Sequence, residues 1–260
     1  MPAEATSVKI RDATIKLYRA GAGQAVLFLH GAGGLQQGLP LFDALADGYQ
    51  LLLPEHPGFG ASDDPPWIRN IGDMAMFYLE LAETLGLSRA HLIGHSLGGW
   101  IAAEMLSRDR ARFESLTLLA PAGIRIEGVP PGDTFIWSPE ETMRNLFHNQ
   151  VLAEAALALP QSEEQMDIAL KNRFTATKLG WQPRWFNPDL ERWLHRIKRP
   201  ALVVWGNEDK VMPAAYAALW KERLPDARTV MIEECGHLPH VEKATIVSRE
   251  VREFLKGVAR

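Results

Sequence analysis

Ala90-His91-Leu92-Ile93-Gly94-His95-Ser96-Leu97-Gly98-Gly99-Trp100 contains the pattern Gly94-x-Ser96-x-Gly98. A short apolar run leads into it, as a buried strand requires, and Trp100 to Leu106 continues with helical spacing. Strand, Gly-x-Ser-x-Gly, helix is the context of a nucleophile elbow, in which a serine on a strained turn stands at the carboxyl end of a sheet. Gly94 and Gly98 omit the side chains that would keep strand and helix apart. The serine then opens a helix whose dipole favours negative charge.

Outward from this stretch the chain alternates short apolar runs with helical periodicity. Ser7 to Ile10 and Thr14 to Tyr18 read as an antiparallel edge hairpin. Ala25 to Leu29 is a continuous apolar run, as for a strand covered on both faces, and ends in His30-Gly31-Ala32-Gly33-Gly34. Gln50 to Leu53 and Ser115 to Leu119 are further strands, with helices over Leu39 to Leu45 and Met74 to Leu85. From Ile124 to Lys198 no apolar strand appears, only helical stretches; these are expected near Pro139 to Phe147, Val151 to Leu159, Ser162 to Thr175 and Pro188 to Ile197. The rhythm resumes with strands Ala201 to Trp205 and Thr229 to Ile232, a helix Ala214 to Leu224, and a final helix Val241 to Val258. Such alternation predicts an α/β fold with a mostly parallel sheet flanked by helices. Residues 1–123 and 199–260 would form the core, with residues 124–198 as an inserted helical cap. Ligands of open parallel sheets bind beyond the carboxyl ends of the strands, so the insertion is expected to lie over the site as a lid.

The 260 residues are 47% hydrophobic and 23% charged, enough for one core with an inserted subdomain. A formal charge of −4 gives no reason to expect a nucleic-acid partner. The single cysteine, Cys235, rules out an intramolecular disulfide. No apolar run spans a bilayer and no secretory h-region is visible, so a cytoplasmic protein without a membrane partner is expected. Nothing in the residues calls for a metal or a cofactor.

A serine hydroxyl needs a base to take its proton, and the base needs an acid to hold its tautomer. Asp209 follows the strand Ala201 to Trp205, and His237 follows the strand Thr229 to Ile232, which is the order Ser, Asp, His expected after an elbow of this kind. Glu208 beside Asp209 is a rival acid, and His240, three residues on, a rival base.

With His30-Gly31, Pro57-Gly58-Phe59-Gly60-x-Ser62, Gly94-His95-Ser96-Leu97-Gly98-Gly99, Gly206-x-x-Asp209 and Gly236-His237 in hand, the chain resembles the α/β-hydrolase superfamily in its capped serine-hydrolase branch. The match runs along nearly the whole chain and is weakest in the cap. It implies a triad of Ser96, Asp209 and His237. It also implies an oxyanion hole from the N–H groups of Leu97, after the nucleophile, and of Ala32. His30, Gly31 and Gly33 share the loop with Ala32. The cap is aromatic, and Trp137, Phe147, Trp181 and Trp185, with Leu238 after the histidine, are candidates for an apolar pocket.

Serine at the elbow argues against the haloalkane dehalogenases and epoxide hydrolases of this fold, and the cap holds no tyrosine to activate an epoxide. Ester hydrolysis, C–C hydrolysis of vinylogous diketones, and amide or lactone cleavage remain. C–C hydrolases of the fold tend to carry Trp where Leu238 stands and a cap arginine for the substrate carboxylate, for which Arg173 and Arg184 are available. The partner expected is therefore a small-molecule ester or related carbonyl compound. A slow or non-catalytic ligand receptor on the same fold is the alternative of another class.

Overall fold

The computed structural model describes residues 3–36 and 38–258. Eight strands form one sheet: β1 (Glu4–Ile10), β2 (Ala13–Ala20), β3 (Gln24–Leu29), β4 (Tyr49–Pro54), β5 (Ala90–His95), β6 (Phe113–Leu119), β7 (Ala201–Gly206) and β8 (Ala227–Ile232). Their order is β1-β2-β4-β3-β5-β6-β7-β8. β1 pairs with β2, and β2 with β4, in antiparallel fashion; every other pairing is parallel.

Side chains alternate across each strand, so both faces need cover. Leu27, Leu29, Leu92, Leu116, Leu118 and Val203 point to one face, where α2 (Ile71–Thr84), α3 (Leu97–Arg108) and α8 (Ala215–Arg223) bury residues such as Phe77, Ile101 and Trp220. Val26, Phe28, Ile93, Leu119, Leu202 and Val204 point to the other, under α1 (Pro40–Ala46) and α10 (Ala244–Val258). The central strands are apolar at most positions because both faces are inside; His91, Ser115 and Thr117 are buried polar exceptions.

Between β6 and β7 the chain forms α4 (Pro139–Leu146), α5 (Gln150–Leu157), α6 (Glu163–Gly180), α7 (Leu190–Trp193) and a 3₁₀ turn Leu194–Arg196. A capping box of Ser162 and Gln165 starts α6. This helix runs five residues past the periodicity read from sequence, and the Pro188–Ile197 stretch is two short turns rather than one helix. The expected single helix Val241–Val258 is also two pieces, α9 (Pro239–Glu242) and α10, because Lys243 leaves helical geometry at ψ 40°. The Glu242 carboxylate there turns away to accept from the N–H groups of Gly236, His148 and Asn149. Among the described residues no helix is long and apolar enough to cross a membrane.

The packing of α3 against β3 yields a prediction. A Cβ on Gly98 would collide with the Leu29 carbonyl oxygen, which is backbone and cannot move aside. Gly98→Ala should therefore lower the unfolding free energy by more than about 3 kcal/mol in urea denaturation. Gly257→Ala, on α10 with nothing within 4 Å, should be neutral or stabilising by up to about 1 kcal/mol. Equal stability of the two variants would contradict this packing.

Candidate active site

The elbow is built by backbone. Ser96 takes φ 50° and ψ −114°, outside the ordinary regions for an L-residue, at a cost of about 1–3 kcal/mol. Three hydrogen bonds hold it there: Ser96 N–H to the Leu119 carbonyl at 3.0 Å, and Ala122 and Trp100 N–H to the Ser96 carbonyl, each at 3.1 Å. A Cβ on Gly94 would collide with the Gly98 carbonyl oxygen, one on Gly98 with that of Leu29, and one on Gly99 would come within 2.7 Å of Pro121.

Loops after β7 and β8 bring the other two groups to the serine. The Ser96 hydroxyl donates to His237 Nε2 at 2.9 Å, and His237 Nδ1 donates to Asp209 Oδ2 at 2.8 Å. The second oxygen of Asp209 accepts from the N–H groups of Val211 and Met212, both at 2.8 Å. That carboxylate cannot rotate without losing two bonds, so the imidazole is locked with its proton on Nδ1 and its lone pair on the serine. Asp209 and His237 are buried, while Ser96 is half-buried. Glu208 faces elsewhere: it accepts from the Cys235 N–H at 2.9 Å and ties the two loops together. The His237 N–H donates to the Leu146 carbonyl of α4 at 2.8 Å, and His95 Nε2 donates to the His237 carbonyl at 3.0 Å.

His240, the rival base, is buried in α9 with its ring 4.4 Å from that of His95. Burial holds its pKa down to about 3. His95 is likewise held well below the usual range by burial, and next by its neighbours His240 and His237. Cys235 is buried, and desolvation pushes its thiol up to about 12, so it stays protonated and inert.

Opposite the elbow, Gly31 to Gly34 form a turn closed by Gly34 N–H to the Gly31 carbonyl at 3.1 Å. A Cβ on Gly31 would lie 3.5 Å from the Ser96 Cβ, so the turn rests against the serine. His30 supports it from below. Its Nε2 accepts from the His56 N–H at 2.9 Å, which leaves Nδ1–H to donate to the Gly31 carbonyl at 2.7 Å. His56 Nε2 donates to the His30 carbonyl at 2.8 Å and its Nδ1 accepts from the Tyr78 hydroxyl. Burial pulls His30 down to about 4 and His56 well below its usual value.

Ser96 and His237 open on a cavity of about 530 Å³. His30, Gly31, Ala32, Gly33, Arg173, Trp185 and Leu238 line it. Leu97 is fully buried beneath it. Four of the sequence candidates lie off the cavity wall. Phe147 packs into a separate small cluster with Ala153 and Leu238. Trp137 packs on the main core and against Gly132. Trp181 is half-exposed and covers Phe135 from outside. Arg184 pairs with Asp133 and lies over the rings of Trp181 and Phe135. Lining residues missed from sequence include Met143, Leu146, Met166, Leu170 and Met212. Met166, Leu170, Arg173 and Thr177 follow the i, i+4, i+7, i+11 spacing of one face of α6, a signal that was available. A wider groove of about 740 Å³ beside Arg11, Trp67 and Glu80 contains none of these groups.

The sequence profile of the alpha/beta hydrolase family matches residues 26–250. The chain belongs to this family. It is 28% identical to the 2-hydroxy-6-oxo-6-phenylhexa-2,4-dienoate hydrolase of Comamonas testosteroni, over 95% of this chain and 93% of that one. It is 26% identical to lipase 3 of Moraxella sp. (strain TA144), over 92% of this chain and 79% of the other. The meta-cleavage product hydrolase of Pseudomonas fluorescens IP01 superposes with a TM-score of 0.80 at 20% identity, covering 97% of each chain, and shares the fold. An α/β-hydrolase enzyme is therefore supported, in a family that includes both lipases and C–C hydrolases.

The buried histidines set a pH dependence of stability. His30, His56, His95 and His240 are neutral in the fold and take up protons only on unfolding. Their folded pKa values lie below the unfolded value of about 6.5, so they cost nothing above it. As pH falls from there toward about 4 for His30 and about 3 for His240, the unfolded chain binds the extra protons and stability drops. Each such histidine adds a slope of about 1.4 kcal/mol per pH unit. Urea unfolding at about pH 7, 6 and 5 should show this fall, with His240→Gln flattening the slope by one proton. A flat profile would show that these groups protonate within the fold.

Proposed function

We propose that the protein is a serine hydrolase that cleaves a carboxylic ester of a small, largely apolar substrate through an acyl-enzyme on Ser96. The observation that carries this reading is the unbroken chain Ser96–His237–Asp209, at 2.9 and 2.8 Å, opening on a cavity walled mostly by apolar side chains. His237 takes the serine proton as Ser96 attacks the carbonyl, and returns it to the departing alkoxide. The N–H groups of Leu97 and Ala32 receive the oxyanion; a donor of this kind contributes roughly 3 kcal/mol to the transition state. His237 then activates water to release the acid. The helices between β6 and β7 act as a cap over this chemistry, in keeping with the α4, α6 and Trp185 side chains that share the cavity with Ser96.

C–C hydrolysis of a dienoate is the second reading, favoured by the Comamonas relative and by Arg173 at the cavity wall. Two observations weigh against it. A dienoate carries a carboxylate, which is costly to bury without a cation. Arg173 spends one nitrogen, Nη2, on the carbonyls of Phe135 and Trp137 at 3.4 and 3.2 Å and is exposed, and Arg184 is paired with Asp133 off the cavity wall. Leu238 also offers no hydrogen bond where those enzymes tend to carry Trp.

Kinetics on p-nitrophenyl esters of graded chain length and on a 2-hydroxy-6-keto-dienoate separate the readings. Short and medium esters should turn over, and Ser96→Ala should abolish that activity. Asp209→Asn should lower kcat by roughly three to four powers of ten. Glu208→Gln should do far less, because Glu208 binds a backbone amide rather than His237. Rapid dienoate cleavage with negligible ester turnover, lost in Arg173→Ala, would overturn the ester reading in favour of C–C cleavage. No turnover of either substrate would favour the receptor.

A further inference from the structure

One side chain of the insertion reaches the turn that carries Ala32. Asn172 lies on the inner face of α6 and is 5% exposed. Its Nδ2 donates to the Gly33 carbonyl at 3.1 Å, and its Oδ1 accepts from the Gly60 N–H at 2.9 Å. A carbonyl only accepts and an amide N–H only donates, so this orientation alone satisfies both partners. Gly34, at φ +97°, makes room for it: a Cβ there would stand 2.5 Å from Nδ2.

Three of the four residues in the Gly31–Gly34 turn are glycines, and glycine peptides reorient readily. The turn is held at two carbonyls, Gly31 by His30 and Gly33 by Asn172. Ala32 lies between them. The remaining side chains that tie α6 to the core bind a different loop. Lys171 donates to the carbonyls of Gly60 and Ser62 at 2.8 and 2.7 Å, Thr175 to that of Gly58 at 2.7 Å, and Lys178 pairs with Asp64 at 2.6 Å. Asn172 takes part in both, through Gly60 and Gly33, whereas Lys171, Thr175 and Lys178 seat the helix without touching the turn.

We propose that Asn172 is a positioning residue for the oxyanion hole: it fixes the Gly33–Gly34 peptide, whose Gly34 N–H donates to the Gly31 carbonyl of the Gly31–Ala32 peptide, and so aims the Ala32 N–H, making charge stabilisation at Ser96 depend on the insertion being seated. The proposal rests on the reading of Ala32 N–H as an oxyanion donor. Such a donor is effective because it needs no reorientation as charge develops, and a hydrogen bond weakens steeply once bent. Asn172 borders the cavity, but its two polar atoms are committed to Gly33 and Gly60 rather than to the reacting atoms. Its loss should therefore lower the rate of the chemical step and leave binding nearly unchanged.

The test is the inactivation of wild type and variants by a fluorophosphonate, resolved into Ki and kinact. Phosphonylation of Ser96 uses the same hole whichever carbonyl compound is the natural substrate, so its outcome is independent of the choice between ester and C–C cleavage. Asn172→Ala should lower kinact by about ten- to a hundredfold, with Ki within about twofold of wild type. Thr175→Val, which loosens α6 without touching the turn, should lower Tm by at least as much and leave kinact within about twofold. In Asn172→Asp the ratio of kinact to that of wild type should rise as pH falls, because only the protonated carboxyl can donate to the Gly33 carbonyl. An unchanged kinact in Asn172→Ala, an equal loss in Thr175→Val, or a pH-independent ratio in Asn172→Asp would each overturn the proposal. A wild-type chain that fails to label at Ser96 would remove the reading beneath it, and the proposal with it.

Discussion

The site hangs on one close approach, that of α3 to the end of β3. Gly98 lies so near the Leu29 carbonyl that no side chain fits between them. That contact draws the helix start onto the sheet and forces Ser96 to φ 50°. The same β3 runs straight from Leu29 into His30 and the Gly31–Gly34 turn. Ser96 and the turn are therefore placed by the two sides of a single backbone contact. The cost of the strained serine is met by the packing of two apolar layers on the sheet.

Around this contact the loops after β7 and β8 supply a polar chain buried in apolar surroundings. Such a chain is stable only if each member is satisfied. Asp209 has two backbone amides besides His237, and the His237 backbone is fixed by Leu146 and His95. Glu208 and Glu242 take no part in the serine chain. They hold the backbone of the loop that carries it, at Cys235 and Gly236.

The fold was legible because strand periodicity and the glycine motifs are local. A doubly covered strand is largely apolar, as Ala25 to Leu29 is, and a strained serine must have glycines at fixed offsets. The order of Ser96, Asp209 and His237 along the chain was legible for the same reason, and the structure joins these three by hydrogen bonds. The cavity wall was not legible. Whether an aromatic in a helical segment faces a cavity, a neighbour or solvent depends on how short helices pack, which no local pattern encodes. Phe147, Trp137 and Trp181 were misplaced on that account, and Arg184 because its partner Asp133 lies 51 residues away. The break at Lys243 was hidden too; beside it the Glu242 carboxylate binds amides some 94 residues distant.

What distinguishes this account from the others open to the family is a covalent acyl group on Ser96. Acid-quenched mass spectrometry of the protein mixed with p-nitrophenyl butyrate, followed by peptide mapping, reads it directly. The account predicts a butyryl group on the peptide containing Ser96 within the first turnover, absent from Ser96→Ala. Turnover of the ester with no adduct, with an adduct on another residue, or undiminished in Ser96→Ala would contradict it.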